Sequence, residues 1–218
     1  MSFAALTSGG KDSILAICKA LDAGKAVSHM VSVIPANPES YMFHSVNLNA
    51  VPVMAQRSGM EYVGIKSAGE KEAELADLKA GLAKLDIEGV TVGAIESEYQ
   101  RSRVAKICES LGLEMYTPLW GADPHTVLEN AARLLDARIV VTAADGLGEN
   151  VLGKRIDKEL IRVLDEVARR RRIHIAGEGG EYESLVLNAP FFSAPLNHSE
   201  MKITCGAMSG RADIERFW

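Results

Sequence analysis

The chain has 218 residues, of which 47% are hydrophobic and 24% charged, and its formal net charge is −5 at pH 7. These values are typical of a globular protein with a substantial core. They exclude a transmembrane protein, because no apolar run approaches the roughly 20 residues of a membrane span. The acidic excess argues against a general nucleic-acid binder. We therefore expect a soluble, cytoplasmic protein with no membrane partner and no direct nucleic-acid partner.

Three cysteines, Cys18, Cys108 and Cys205, lie far apart in the sequence and form no CxxC pair. Neither a disulfide framework nor a zinc site is predicted from them, and no residue is assigned to a metal. Cys18 and Cys108 fall within apolar helical series, which favours packing in the core.

The stretch around which the chain is organised is residues 8–13, Ser-Gly-Gly-Lys-Asp-Ser. An apolar run, Phe3–Leu6, predicts a buried strand before it, and apolar residues at helical spacing begin at Ile14. Gly9 and Gly10 allow the backbone N–H groups to converge on an anion, at a point where a helix presents its positive end. The pattern predicts a phosphate-binding loop.

The side chains of this stretch suit the same ligand. Ser8 and Ser13 add hydroxyl donors, and Lys11 adds a positive charge that can reach a phosphate group. A simpler interpretation stays open, in which a glycine turn joins a strand to a helix capped by Asp12 or Ser13.

Strands and helices alternate through the first half of the chain. The predicted strands are 3–6, 27–34, 62–65 and 90–95, and the predicted helices are 14–21, 50–58, 70–85 and 100–111. This alternation predicts an α/β fold with a doubly wound parallel sheet, in which ligands bind beyond the carboxyl ends of the strands. We expect three loops to converge there: 7–13, 35–47 and 96–103.

The character of the chain changes at residues 118–121, Pro-Leu-Trp-Gly, and we place a domain boundary there. The predicted domains are 1–120 and 121–218, the second a smaller α+β domain. Its predicted elements are a helix at 124–135 with Asp123 as cap, a strand at 138–143, a helix at 157–172, and strands and turns in the remainder.

Charged and polar residues in the predicted loops are candidates for binding. Arg101 and Arg103 suit phosphate oxygens, although a solvated helix turn explains them equally well. His44 and Asn47 lie in the loop after the second strand. Four consecutive arginines at 169–172 complement a helix C-terminus, and contact with RNA or an acidic protein partner is an alternative.

A cluster of acidic residues, Glu178, Glu181 and Glu183, lies in a span of six residues with three glycines and Tyr182. Three carboxylates so close repel one another unless a cation, solvent or raised pKa values relieve them. An exposed acidic hairpin is one interpretation. A pocket for a cationic ligand, with Tyr182 adding a cation–π contact, is the other.

The string at residues 8–13 resembles the PP-loop of the N-type ATP pyrophosphatases, which cleave ATP between the α and β phosphates. Met42-Phe43-His44, the segment from Gly93 to Arg101, Pro118-Leu119-Trp120 and above all 177–190 are similar to the diphthine–ammonia ligase family, in its short, archaeal-type form. Ser184 and Asn188 are mild departures, since Thr and Asp are more typical there.

This resemblance implies a ligase that adenylates the carboxylate of diphthine on translation elongation factor two and lets ammonia or ammonium displace AMP. It implies ATP, with Mg²⁺, as the cofactor, and leaves a homo-oligomer open. The implied catalytic residues are Lys11, Asp12, Glu178, Glu181 and Glu183. Those implied to bind ATP are Ser8, Gly9, Gly10, Lys11, Asp12, Ser13, His44, Arg101 and Arg103. Those implied to bind the acceptor are Tyr182, Tyr99 and Asn47.

Two other functions stay open from the sequence. A PP-loop enzyme that adenylates a tRNA base would use the arginine run on RNA, although the net acidity and the lack of paired cysteines weigh against it. A nucleotide-sensing α/β module would bind ATP without turnover.

Overall fold

A computed structural model of the protein describes residues 2–36, 46–67, 71–206 and 209–218. Predicted site residue His44, with the rest of 41–45, lies outside the described residues. The strands are β1 (Phe3–Leu6), β2 (Val27–Pro35), β3 (Glu61–Ser67), β4 (Gly89–Thr91), β5 (Glu114–Tyr116), β6 (Asp136–Thr142), β7 (Tyr182–Asn188), β8 (Met201–Cys205) and β9 (Gly210–Ile214). The helices are α1 (Lys11–Asp22), α2 (Val51–Ser58), α3 (Lys71–Leu82), α4 (Glu98–Leu111), α5 (Pro124–Leu134) and α6 (Lys158–Arg171).

The first sheet has five parallel strands in the order β3-β2-β1-β4-β5. Helices α1 and α2 bury Ile17 and Met54 on one face, and α3 and α4 bury Leu78 and Val104 on the other. After β3 the chain returns to the opposite side of β1, so the strand order reverses between β1 and β4. Such a reversal opens a crevice beyond the carboxyl ends of the strands. The predicted doubly wound parallel sheet is confirmed.

The second sheet is antiparallel, in the order β7-β6-β9-β8, and forms the smaller C-terminal half with α5 and α6. One hydrophobic cluster runs through both halves, because Ile17 of α1, Leu128 of α5 and Val186 of β7 are all members of it. The predicted boundary at residue 120 lies between β5 and α5, and it stays a prediction. The shared cluster holds the two sheets in a fixed relation around α1.

Side-chain caps begin both helices of the C-terminal half, and Asp123 was predicted as the first of them. The Asp123 carboxylate accepts a hydrogen bond from the backbone N–H of Thr126 at 2.8 Å, and Pro124 is the first residue of α5. Asp157 accepts from the N–H groups of Glu159 and Leu160 and so begins α6. Caps of this kind satisfy donors that a helix leaves unpaired.

Some boundaries differ from the prediction. Helix α1 begins at Lys11 with Gly10 as its N-cap, so neither Asp12 nor Ser13 is the cap. Strand β4 ends at Thr91 instead of residue 95, because the following residues leave the sheet. Strand β5 was not predicted, and β8 and β9 were expected only as unspecified strands.

The predicted core cysteines, Cys18 and Cys108, are buried, as expected, whereas Cys205 is exposed. Burial raises the pKa of both buried thiols to about 11. None of the helices within the described ranges is long and apolar enough to cross a membrane.

Candidate active site

A cavity of about 620 Å³ lies beyond the carboxyl ends of β1 and β4. This volume is in the range of small-molecule and cofactor sites. The loop after β1, the loop after β4 and the segment 177–184 line the cavity together, with Val46 from the end of the loop after β2. The three loops therefore converge as predicted, as far as their residues are described. Segment 177–184 of the C-terminal half forms a fourth wall of the cavity.

The loop after β1 has the backbone geometry that the glycines predict. Gly9 has a φ of 81°, in the left-handed region that favours glycine, and a Cβ there would lie 2.9 Å from Met54 Cε. The Gly9 N–H donates to Thr7 Oγ1 at 2.9 Å, and Thr7 Oγ1 lies 2.7 Å from Ser13 Oγ. The loop is thus held open toward the cavity by its own side chains, with Ser8 and Gly10 also on the lining.

Strand β7 of the second sheet docks directly on this loop. The Val186 N–H donates to the Gly9 carbonyl at 2.9 Å, and the Lys11 N–H donates to Ser184 Oγ at 3.0 Å. Contacts 173 residues apart in sequence therefore fix the start of α1 against the C-terminal half.

Lys11 is buried, with 3% of its surface exposed, and its ammonium contacts both halves of the protein. Nζ donates to Asp12 Oδ2 at 2.8 Å and to the Ala176 carbonyl at 2.6 Å, and it lies 5.1 Å from the centroid of the Tyr182 ring. Burial by itself lowers the pKa of the ammonium, but Asp12, Tyr182 and Glu178 together outweigh that effect and hold the pKa above its ordinary value. Lys11 is therefore a fixed positive charge at the cavity wall.

Asp12 offers the cavity an oxygen ligand that suits a divalent cation. Its Oδ2 pairs with Lys11, whereas its buried Oδ1 has no hydrogen-bond partner within the described residues. Those residues contain no group of three or more metal-ligating side chains. Mg²⁺ is commonly held by one or two carboxylates with water and substrate phosphates, so Asp12 fits it.

Glu178 fastens the C-terminal half to the loop after β4. Its Oε1 accepts hydrogen bonds from the backbone N–H groups of Ile95, Glu96 and Ser97 at 2.9, 3.0 and 3.1 Å. Ser97 is the N-cap of α4, so the carboxylate lies at the positive end of that helix. Glu178 therefore anchors the segment between β4 and α4.

Glu181 and Glu183 have different surroundings, although they are two residues apart. Glu181 accepts from the N–H groups of His174 at 2.7 Å and Gly179 at 2.9 Å, and so closes the turn before β7. Glu183 lies on the cavity lining beside Ser184. Backbone donors thus compensate two of the three clustered carboxylates.

Tyr182, at the start of β7, is 3% exposed. Its hydroxyl donates to the Ile175 carbonyl at 2.8 Å, and its ring lies against the Lys11 ammonium. Burial raises the pKa of Tyr182 to about 12, so the hydroxyl stays protonated as a donor. These contacts favour a structural role over direct binding of a cationic ligand.

Of the remaining predicted site residues, one lies on the cavity lining and three do not, as far as the chain is described. Tyr99 lies on the cavity lining. The guanidinium of Arg103 lies 3.6 Å from the centroid of the Tyr99 ring, and that of Arg101 lies 4.5 Å from the Trp120 ring, both off the lining as far as the chain is described. Asn47 is buried, where it accepts from the N–H of Ile214 at 2.9 Å and donates to the Ala212 carbonyl at 3.0 Å, and so anchors β9.

Models of the diphthamide synthase N-terminal domain and of the diphthamide synthase C-terminal domain match residues 1–115 and 123–218. The chain belongs to the diphthamide synthase family. Curated relatives named diphthine–ammonia ligase are 32% identical to it, in human (90% of this chain, 82% of the relative), zebrafish (90% and 86%) and budding yeast (88% and 33%). The chain is thus a member of a family of ligases.

A solved structure also resembles the chain: a predicted subunit of tRNA methyltransferase from Methanocaldococcus jannaschii. It is 14% identical, superposes with a TM-score of 0.49, and covers 87% of this chain and 98% of its own. The fold assignment follows from the strand order above and does not depend on this likeness.

The sequence did not predict several residues that shape this site. They are Thr7, which braces the loop, Ala176, whose carbonyl accepts from Lys11, Gly93, which packs against the start of α1, and Ser184, which accepts from the Lys11 N–H. Gly93 and Ser184 fall in segments that carry the family resemblance, so that resemblance was the signal that could have identified them as site residues. The role of the Ala176 carbonyl depends only on tertiary contact, which no local pattern reveals.

Proposed function

We propose that this member of the diphthamide synthase family uses ATP to convert diphthine on translation elongation factor two to diphthamide, with release of AMP and pyrophosphate. The single observation that carries the proposal is the common cavity. The phosphate loop at residues 8–13 and the acidic segment 177–184 line the same space, so a nucleotide phosphate and an acceptor group can meet there.

In the first step an oxygen of the diphthine carboxylate attacks the α phosphorus of ATP. The bond from that phosphorus to the oxygen bridging it to the β phosphorus breaks, and pyrophosphate leaves with the electron pair. Gly9, Gly10 and the start of α1 supply backbone donors for the departing pyrophosphate, and Lys11 supplies a fixed positive charge. Mg²⁺ at Asp12 would neutralise part of the phosphate charge.

In the second step ammonia attacks the carbonyl carbon of the acyl-adenylate, and the bond from that carbon to the AMP oxygen breaks. The nitrogen loses a proton, and AMP leaves. A free carboxylate is a poor acyl donor, and this is the reason for attaching AMP. Water would hydrolyse the mixed anhydride, so a cavity closed by segment 177–184 on one side favours amide formation.

We propose Glu183 as the residue that faces the cationic trimethylammonium group of diphthine, or ammonium. Its place on the cavity lining, next to the segment that contacts the phosphate loop, supports this choice. A carboxylate near a cation in a partly closed cavity gains from a lowered dielectric.

Product analysis tests the proposal. The protein is incubated with ATP, ammonium and diphthine-bearing elongation factor, and nucleotides are separated by chromatography. AMP and pyrophosphate are expected only when the factor is present. ADP and phosphate would overturn the proposed chemistry. AMP formation that needs tRNA in place of the factor would favour the base-adenylating alternative, and ATP binding without any product would favour a sensing module.

A further inference from the structure

A second hollow, of about 640 Å³, lies between the first turn of α5 and the last turn of α6. Its apolar lining residues are Ala168, Ile173 and Ile175, and its polar and charged ones are His125, Asp165, Arg169 and His174. We call it the basic groove. The proposed chemistry makes no use of it, and it adjoins the arginine run.

All four arginines of the run 169–172 are exposed. Within the described ranges Arg171 is the one member of the run with an ion pair, to Asp145 at 3.1 Å. Arg169 donates only to the backbone carbonyl of Asp165, at 3.3 Å, and the Asp165 carboxylate itself pairs with His125. A single cation complements a helix C-terminus, so four adjacent ones exceed what the dipole of α6 requires.

The basic groove is joined to the active-site cavity by a single residue. The His174 ring lines the groove, and its Nδ1 accepts a hydrogen bond from the Glu178 N–H at 3.3 Å. Glu178 lines the cavity. A polypeptide segment seated in the groove therefore lies beside the cavity, with His174 between them.

We propose that the basic groove binds an acidic segment of the protein acceptor, next to the side chain that enters the cavity. This inference rests on the proposed function, since that function makes the acceptor a protein. Opposite charge favours the match, because Arg169 in the groove and Arg170 and Arg172 beside it are exposed and have no ion pair within the described residues, on a chain whose net charge is −5. The apolar lining also suits a peptide segment better than a phosphate backbone, which is bound by an extended basic surface with aromatic platforms.

Affinity for the diphthine-bearing elongation factor tests this inference without depending on turnover. The variant is Arg169→Glu with Arg170→Glu. The matched control is Arg133→Glu, which reverses an exposed arginine that also lies in the last turn of its helix and hydrogen-bonds within it, to Asn130. We expect the double variant to weaken binding about tenfold or more at low salt, and the difference to shrink at high salt. The control should bind as the unmodified protein does.

Each other outcome has a distinct meaning. Equal affinities of the double variant and the control, or no binding of the factor by any form, would overturn the inference. Loss of affinity for a polyuridylate oligonucleotide, with factor binding intact, would overturn it in favour of RNA. AMP formation is measured beside binding. If the unmodified protein binds the factor through the groove but forms no AMP, the proposed chemistry fails and the docking inference stands.

Discussion

At the scale of single residues, Lys11 does more than the sequence alone suggests. Its position in the phosphate loop predicts a charge directed at phosphates. In the structure the same ammonium also joins Asp12 to the Ala176 carbonyl of the C-terminal half. A residue that holds the two halves together and faces the cavity is expected to affect both stability and turnover.

Lys11→Ala should therefore have two effects. Loss of the charge should lower AMP formation by ~10²- to 10³-fold, as for other preorganised electrostatic groups. Loss of the two hydrogen bonds leaves Asp12 and the Ala176 carbonyl without their partner, which should lower the free energy of unfolding by about 1–3 kcal/mol. Pyrophosphate release and thermal melting measure these effects, with exposed Lys106→Ala as control. A variant that melts and turns over normally would contradict this role.

The clustered glutamates should separate into two classes on substitution. The Glu178 carboxylate accepts hydrogen bonds from three backbone N–H groups. Glu178→Gln replaces it with a neutral amide, which weakens these bonds and should lower the melting temperature. Glu183→Gln removes a negative charge from the cavity lining and should raise KM for the elongation factor more than it weakens ATP binding. Melting curves and nucleotide affinity for both variants decide between these roles. A collapse of ATP affinity in Glu183→Gln would assign that carboxylate to the nucleotide instead.

At the scale of elements, the packing of β4 against α1 brings the loop after β1 and the loop after β4 together. Gly93 follows β4, and a Cβ at this position would lie 2.6 Å from the backbone carbon of Asp12 and 2.6 Å from the N of Ser13. Only glycine allows so close an approach of two backbones. The loop after β4 can therefore lie beside the phosphate loop, where Glu178 fastens it.

Gly93→Ala should push these elements apart. Overpacking of this kind costs about 1–3 kcal/mol of stability, and the displaced phosphate loop should weaken ATP binding as well. The control is Gly148→Ala, where the nearest atom to an added Cβ is Asn150 Oδ1 at 3.9 Å. Calorimetric unfolding and ATP titration of both variants provide the comparison. Equal behaviour of the two variants would mean that the close approach has no role.

The sequence predicted most elements of the fold, because hydrophobic period and helix caps are local signals. Asp123 and Pro124 begin α5 where expected, and residues 8–13 form the predicted loop at the start of α1. Strand β5 has only three residues, too few to show a period, and β8 is largely exposed, so neither was predicted individually. The predicted end of β4 at residue 95 was wrong: the N–H groups of Ile95 and Ser97 donate to Glu178, more than 80 residues away, and no local pattern reveals that contact.

At the scale of the whole molecule, the site belongs to neither half alone. Ser184 and Val186 of strand β7 form hydrogen bonds with the phosphate loop. One hydrophobic cluster also joins both sheets through α1. The family resemblance implied site residues in both predicted domains. The direct contact between the two halves, through Lys11 and Ala176, could not be predicted, because it depends on how the sheets pack.

The most direct measurement follows oxygen from the acceptor into the products. Elongation factor carrying diphthine with a heavy-oxygen label in its carboxylate is incubated with the protein, ATP and ammonium, and the nucleotides are analysed by mass spectrometry. An acyl-adenylate requires one labelled oxygen to leave with AMP, so labelled AMP is the predicted result. Label in inorganic phosphate, or AMP that carries none while the amide forms, would contradict adenylation of the carboxylate.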